Sequence, residues 1–469
     1  MKITLDSMIT VEDPEPSLVH WCEKNLIMAN PQYAKLIRMG KKTWGIERNI
    51  VFYTWYQGKL ILPRGLLKTL YDKYPNLGLY DNQMNKCHPV EFCSRIRLRD
   101  YQEPAVQAVR WGKQGIIVMP CGAGKTETAL QVIAELGQPA LWITHTKDLL
   151  NQSLGRAKEK LGLSGNQTGV IGGGEYSVGT HITFSTVQSL KNKDLESLSK
   201  RFGTVVVDEC HRAFMNAGRL SMFQDVIGRI PALYRIGITA SEHRSDGLIC
   251  GMYHLMGRKL YEVSQTQLND RGNVVPPKII SIPTGYRYRG DRTLEFAAVL
   301  NDMAGDEARN QIIYKELLRH KDQYCLVLSS RLSQLSCLYE RLRQSAVCEY
   351  IHGKSSRKAR EEAIARVRSG SSRILFASYA LAKEGLDIPR MEIEFLATPY
   401  RDPVVVQQSV GRIMRPFEGK KQPVVYDFVD EQVGLCVSQF KSRKQVYKKL
   451  GGRIEDHVSG YQLKMRGCV

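Results

Sequence analysis

Residues 115–130 read GIIVMPCGAGKTETAL. An apolar run, Gly115–Met119, meets a proline and a glycine-rich turn, and a helical pattern starts directly behind it. Gly122 and Gly124 allow the tight turn that aims backbone N–H groups at phosphate oxygens. The helix behind the turn adds the positive end of its dipole. Lys125 supplies a point charge for the β- and γ-phosphates, and Thr126 a hydroxyl for Mg²⁺. The full G-x-x-x-x-G-K-[ST] pattern asks for glycine where this chain carries Met119, so a chance glycine-rich strand–helix turn is the plain alternative. The nucleotide reading predicts ATP and Mg²⁺ as the small molecules bound.

The same rhythm extends along the chain. Short apolar runs at Gly115–Met119, Ala140–Thr144, Ile182–Ser185, Thr204–Val207 and Arg235–Ile238 alternate with longer helical patterns, as buried parallel strands do. A second set follows at Tyr324–Leu328, Arg373–Ala377, Ile393–Ala397 and Val424–Phe428. The fold class expected is α/β, with two tandem parallel-sheet domains. Ligands of such sheets bind beyond the carboxyl ends of the strands, and polar signature residues follow nearly every run here. Between the sets lies GNVVPPKIISIPTGYRYRGDRT (272–293), whose glycine and Pro-Pro pair read as a domain boundary.

The ends of the chain read differently. RNIVFYTWYQGKLILPRGL (48–66) alternates apolar and polar residues and meets a turn at Lys59, as a hairpin followed by a Pro-Arg-Gly turn. Residues 90–99 read as a linker. Beyond Gly434 the chain is basic and helical over Cys436–Leu450, ending at Gly451-Gly452. The expected domains are a small α+β accessory domain at 1–94, an ATP-binding domain at 95–268, a second sheet domain at 269–433, and a basic tail with a C-terminal helix at 434–469.

In VVVDECHRAF (205–214) an apolar strand ends in Asp208-Glu209. Asp208 is placed to hold Mg²⁺ through water, and Glu209 to orient and deprotonate the attacking water. An acidic strand end on a solvated loop is the bland reading, and Lys125 one α/β unit upstream weakens it. In QQSVGRIMRP (407–416) Arg412 and Arg415 stand three apart and share a helix face. A planar guanidinium stabilises charge developing on a γ-phosphate. Paired arginines are otherwise common surface decoration; Gln407-Gln408 ahead of them and a strand behind give them weight.

The chain has 469 residues, room for two or three domains of roughly 100–200 residues. Its 67 Lys+Arg against 47 Asp+Glu give a net charge of +20, which favours a polyanionic partner because each neutralised phosphate releases a counterion. A well-solvated basic surface without a partner is the bland alternative. No apolar run approaches the ~18–20 residues of a membrane span. The start, MKITLDSMITVEDPEPS, has no apolar signal-peptide core, so a cytoplasmic location and no membrane partner are expected. The 11 cysteines are scattered and form no disulfide framework, and Cys87 and Cys93 around His88 have the wrong spacing for a zinc knuckle.

Taken in order, Gly-Lys-Thr, Asp-Glu-Cys-His, Thr-Ala-Ser, Glu-Gly-Leu-Asp and Gln-x-x-Gly-Arg-x-x-Arg resemble the motif series of superfamily 2 helicases, over Leu98 to Glu431. LRDYQ (98–102), EHRSDG (242–247), YIHGKSSRKARE (350–361), EGLDIPR (384–390) and VVYDFVDE (424–431) resemble the XPB-like group and the phage branch-migration helicases of the UvsW kind. NPQYAKLIRMGKKTWGI (30–46) with LILPRGL (60–66) looks like their small accessory, DNA-recognition-like domain, and QFKSRKQVYKKLGG (439–452) like their C-terminal helix. The resemblance implies two RecA-like domains and a DNA-dependent ATPase. It implies adenine reading by Arg99 and Gln102, ribose contact by Asp387, and γ-phosphate sensing by Gln408, Arg412 and Arg415. It implies coupling of hydrolysis to movement through His211 and the Thr239-Ala240-Ser241 segment. It implies nucleic-acid contacts at Thr144, His145, Thr146, Gly172–Gly174 with Gly173 at their centre, Thr186, Gln188, Arg331, Gly353 and Ser378.

Two departures stand out. The XPB-like proteins carry Arg-Glu-Asp where this chain has Arg244-Ser245-Asp246, and no insertion is long enough for their thumb-like element. Strand opening is therefore expected to fall to the N-terminal domain. The function expected is an ATP-driven motor on double-stranded or branched DNA, read without regard to sequence. The alternatives are an RNA helicase or RNA-stimulated ATPase, and a motor subunit of a larger DNA-processing or defence complex. The Gln-x-x-Gly-Arg-x-x-Arg element opens on Gln408 rather than the His usual in DEAD-box RNA enzymes, and the chain has no P-T-R-E-L stretch, which disfavours RNA.

Overall fold

A strand buried on both faces needs apolar side chains at every position, and the runs that supply them become the central strands of two parallel sheets. The computed structural model describes residues 1–75, 81–82, 84–85, 87–212, 222–242, 247–272, 274–290, 296–384, 386 and 388–456. The chain forms two compact units, 1–120 with 124–263, and 264–469 with 121–123. The first holds an eight-stranded sheet in the order Glu175–Tyr176, Thr168–Gly172, Ile182–Thr186, Ala140–Thr144, Thr204–Asp208, Tyr234–Thr239, Gln114–Val118, Lys259–Glu262. Only the outermost Glu175–Tyr176 pairing is antiparallel. The second holds a seven-stranded parallel sheet in the order Cys348–Ile351, Ile374–Ser378, Cys325–Ser329, Ile393–Leu396, Val424–Val429, Lys278–Pro283, Arg453–Asp456. Among the described residues no helix is long and apolar enough to cross a membrane.

Three expectations need correction. The KIISIP stretch read as part of a domain boundary is the strand Lys278–Pro283, paired on both sides inside the second sheet. Pro276-Pro277 marks the start of that strand, not a linker between domains. The hairpin turns at Gln57-Gly58, and Lys59 already pairs with Tyr56. Finally, the C-terminal helix forms as expected, but the segment is built into the second unit and runs on into a strand. The helix Gly434–Lys449 buries Phe440, Arg443, Val446 and Tyr447, and Arg453–Asp456 is an edge strand. Arg443 makes a bidentate pair with Asp427 at 2.8 and 2.7 Å, and the Tyr447 hydroxyl donates to the same carboxylate at 2.6 Å.

The N-terminal segment builds its own five-stranded sheet around Ile3, Leu5, Ile9, Val11, Leu60 and Leu62. Two buried arginines fasten it to the first parallel sheet. Arg64 donates to Gln114 Oε1 at 2.7 Å and to the carbonyls of Ala232 and Leu233. Arg235 donates to the Ser7 carbonyl at 2.9 Å and to Leu255, Ile227 and Ile230 carbonyls. Burial, and then the charge of Arg235, hold Arg64 well below the usual guanidinium range. Next to it, a Cβ on Gly65 would lie against the backbone carbonyls of Tyr253 and His254, so only glycine fits. Arg64→Ala leaves buried carbonyls without a donor and is expected to cost roughly 2–4 kcal/mol. Urea denaturation measures this; an unchanged midpoint would contradict the fastening role.

Candidate ATP site and nucleic-acid-facing strand ends

The phosphate loop follows Gln114–Val118 and leads into the helix Lys125–Leu136. Gly122 and Gly124 adopt φ of +85° and +78°, the left-handed region the turn requires. Gln102, only 4% exposed, braces this loop. Its amide donates to Thr128 Oγ1 at 2.9 Å and to the Gly124 carbonyl at 3.2 Å, and its oxygen accepts from the Arg99 N–H at 2.8 Å. A Cβ on Gly124 would come within 2.6 Å of that amide. Both ends of the Gln102 carboxamide are thus engaged inside the protein. Arg99 is exposed and donates to the Tyr101 hydroxyl at 2.8 Å. Lys125 and Thr126 open the helix, half-buried at its N-terminus.

Asp208 ends its strand with the side chain buried. Burial, and then the Glu209 carboxylate, push Asp208 up to about 7, while Lys125 pulls it down. A buried carboxyl raised in this way beside a second carboxylate is short of positive charge, which is what Mg²⁺·ATP brings. Glu209 has φ +50°, a conformation that costs a non-glycine residue energy and that clusters at functional sites. His211 Nδ1 stands 3.3 Å from Glu209 Oε2 and 2.9 Å from Thr239 Oγ1. The Thr239 hydroxyl donates to the Ser241 carbonyl at 2.8 Å, which leaves its oxygen to accept from His211 in the Nδ1-protonated tautomer. Glu209, His211, Thr239 and Ser241 thus lie together beyond two adjacent strand ends. Arg244-Ser245-Asp246 lies outside the described residues.

The nucleic-acid candidates of the first unit gather where three adjacent strands end. Thr186 is in register with Thr144, and Ser185 with Ile171, directly before Gly172–Gly174. Thr144 itself is fully buried and donates to the Thr146 carbonyl at 2.9 Å, so its side chain holds the loop and does not face outward. Thr146 and Thr186 cap the helices that follow, accepting from the N–H groups of Leu149 and Ser189 at 3.4 Å. Gln188 donates to the His145 carbonyl at 3.2 Å. Gly173 is exposed, with Lys147 lying where a side chain would be. Lys147 was not singled out from sequence, although a cation directly after the capping Thr146 is a readable signal.

In the second unit Arg331 follows Cys325–Ser329, Gly353 follows Cys348–Ile351, and Ser378 ends Ile374–Ser378. These strands are neighbours, with Ser329 opposite Ser378. Arg331 is engaged by Asn301 Oδ1 at 2.5 Å and the Ala297 carbonyl at 3.1 Å. The helix Pro403–Ile413 carries Gln408, which is buried, and Arg412, whose Nη1 donates to the Leu386 carbonyl at 2.7 Å. Arg415 is half-buried just beyond it. Asp387 lies outside the described residues. Lys420, which sequence reasoning missed, donates to the Arg415 and Pro389 carbonyls at 2.8 and 2.9 Å and ties the two motif loops together. Burial brings its pKa down to about 8, against the pull of Glu392.

Beneath that helix lies Glu394, fully buried on the strand Ile393–Leu396. Burial pushes it up to about 8, with Ser409 and Arg412 pulling the other way and Asp427 adding to the rise. The folded unit therefore holds a proton that the unfolded chain releases above its ordinary value of 4.5. Stability falls as pH rises through that window, by on the order of a few kcal/mol. Glu394→Gln should flatten the fall. Denaturant midpoints at about pH 5.5 and about pH 8 test this, and a slope identical to that of the parent chain would contradict it. In the ATP site, Lys125→Ala is expected to abolish turnover and weaken ATP binding, as read by nucleotide-binding titration; retained turnover would remove the loop from the reaction.

Residues 95–244 match the family described as type III restriction enzyme, res subunit, and residues 308–416 match the helicase conserved C-terminal domain. A provisionally named ATP-dependent RNA helicase of Acanthamoeba polyphaga mimivirus is 27% identical over 375 residues, covering 77% of this chain and 69% of its own. The DNA 3'-5' translocase XPB2 of Sulfurisphaera tokodaii is 26% identical over 361 residues, covering 68% of this chain and 79% of its own. The solved structure of S. cerevisiae Dbp5 bound to RNA and ADP BeF3 shares the fold, with TM-score 0.56 and 14% identity over 86% of this chain and 96% of that one. Motif series, sheets and matches together define an ATP-hydrolysing helicase of superfamily 2 with two RecA-like domains. Within that superfamily the chain is similar to members of the XPB-like group.

Proposed function

We propose that the chain is a motor that moves on double-stranded or branched DNA (forks, junctions, R-loops) and remodels it at the expense of ATP. The observation that carries this reading is a shared edge. Val207 is in register with Ile143, so Asp208 ends its strand beside Thr144, and the hydrolytic carboxylates adjoin the loops read as nucleic-acid contacts. Movement at one is felt at the other through a strand end, without a long relay. The net charge of +20 supplies sequence-independent grip on phosphates.

Each residue then has a task. Thr126 and Asp208 hold Mg²⁺, which when bound neutralises charge on the phosphates. Lys125 and the loop amides cradle the β- and γ-phosphates. Glu209 orients the attacking water and takes its proton. His211, Thr239 and Ser241 pass the change at Glu209 to the strand ends. Gln102 keeps the loop in shape, leaving Arg99 to face the base, and Asp387 takes the ribose. Gln408, Arg412 and Arg415 sense and stabilise the γ-phosphate. Thr146, Gly173, Gln188, Lys147, Gly353 and Ser378 line the paths of the phosphate backbone.

Arg412→Ala should leave ATP binding nearly intact while lowering kcat by ~10³-fold, the scale of an arginine finger. Normal hydrolysis by this variant would contradict the role given to the second unit. The polymer is tested by steady-state ATPase with equal masses of single-stranded DNA, linear duplex, forked DNA, a four-way junction and duplex RNA. Fork and junction should stimulate most, and Glu209→Gln should abolish the response. The mimivirus relative is named for RNA, so stimulation by duplex RNA equal to or above that by DNA would move the chain to the RNA-helicase reading. The match to a restriction res subunit favours a motor that serves a larger complex, and robust activity of the lone chain would sink that version.

A further inference from the structure

The N-terminal segment holds one aromatic ring out in solvent by a built arrangement. Trp44 is 96% exposed, more than any other large apolar side chain described. It sits in the tight turn Thr43–Ile46, closed by the Ile46 N–H donating to the Thr43 carbonyl at 3.0 Å. Gly45 follows Trp44 with φ +73°, as the third position of such a turn requires. The base of the excursion is stapled by Asn30, which is 2% exposed. Its side-chain amide donates to the Glu47 carbonyl at 2.8 Å, and its backbone N–H to the Arg48 carbonyl at 2.9 Å. The helix Pro31–Arg38 that leads into the turn buries none of its residues. Burial energy therefore does not explain why the excursion exists or why a tryptophan stands at its tip.

The surroundings indicate the occupant. Lys35, Arg38, Lys41, Lys42 and Arg48 are all exposed on this excursion, against Glu47 as its one acidic residue. A flat ring in a cationic frame complements a base face flanked by phosphates. An unbroken duplex keeps its base faces covered by stacking. A branch point exposes the last base pair of an arm.

We propose that the Trp44 turn is a stacking platform for the base pair left open at a DNA branch point, with Arg38, Lys41, Lys42 and Arg48 on the flanking phosphates. The proposal rests on the DNA reading above and gives it a reader of branches. Because Trp44 packs against nothing that the fold needs, its replacement leaves the catalytic machinery and the core intact.

The full chain is tested against a fork carrying 2-aminopurine at the branch, a hairpin-capped linear duplex and a duplex RNA with the same branch. Trp44→Ala should weaken binding to the fork by ~5- to 150-fold, the range of one lost base–aromatic stack. It should remove the 2-aminopurine quench on binding, and leave capped-duplex binding and duplex-stimulated ATPase as they were. Trp44→Phe should recover most of the fork affinity, and the Lys41→Ala/Lys42→Ala double variant should weaken both DNAs while keeping the quench. Equal fork affinity in the parent chain and Trp44→Ala overturns the platform while leaving the DNA motor standing, and assigns the patch to another partner. Equal losses on fork and capped duplex overturn it as a branch reader. A Trp44-dependent quench confined to RNA overturns the DNA assignment. Failure of any DNA to stimulate the parent chain sinks the motor reading and this proposal with it.

Discussion

Parallel pairing dictates where this protein can do chemistry. Each strand must be entered from the same side, so every carboxyl end emerges on one edge of the sheet, and the loops there have no hydrogen-bonding duty within the sheet. In the first unit that edge carries Asp208, Thr144, Thr186 and the Gly172–Gly174 turn on neighbouring strands. Thr239 ends the next strand, in register with Val118, just before the phosphate loop. The residues proposed for ATP and the loops proposed for nucleic acid are therefore parts of one edge. The second sheet repeats the device with Ser329, Ser378 and Ile351 at adjacent ends.

Buried charge does the fastening around these sheets. Arg309 pairs with Asp430, both fully buried, and the Thr284 hydroxyl donates to the same carboxylate at 2.6 Å. Arg443 holds Asp427 likewise, and so anchors the last helix on the second sheet. Such pairs add little net stability over apolar packing, but losing one partner is costly, so they fix one arrangement against others. Arg64 and Arg235 have carbonyls in place of carboxylates and hold the N-terminal sheet to the first parallel sheet. Glu394 stands apart: a carboxyl buried under the helix of Arg412, kept protonated near neutrality by burial.

How much of this was legible follows from what periodicity reports. The central strands announce themselves because two buried faces leave no polar position, and Ala140–Thr144 falls where its run begins and ends. Edge strands such as Cys348–Ile351 and Lys259–Glu262 are half-exposed and carry no such run. Lys278–Pro283 was masked by the prolines before it. Lys125, Asp208 and Glu209 stood out as candidates because phosphate and metal binding call for those groups in that order. The partner of a carboxamide is not encoded in spacing, so the bonds from Gln102 to Gly124 and Thr128, which brace the phosphate loop, became visible only in the structure. Arg64 in its Pro-Arg-Gly turn and Lys420 beyond the last motif gave no pattern, because their partners, backbone carbonyls and for Arg64 also the Gln114 side chain, are brought near only by the tertiary fold.

The central claim is that ATP hydrolysis at Asp208-Glu209 moves this chain along duplex DNA. A triplex-displacement assay tests it most directly: a fluorescent third strand is bound on a linear duplex and its release is followed with time. The account predicts ATP-dependent release by the parent chain and none by Glu209→Gln. Hydrolysis stimulated by the duplex without any release of the third strand would contradict it.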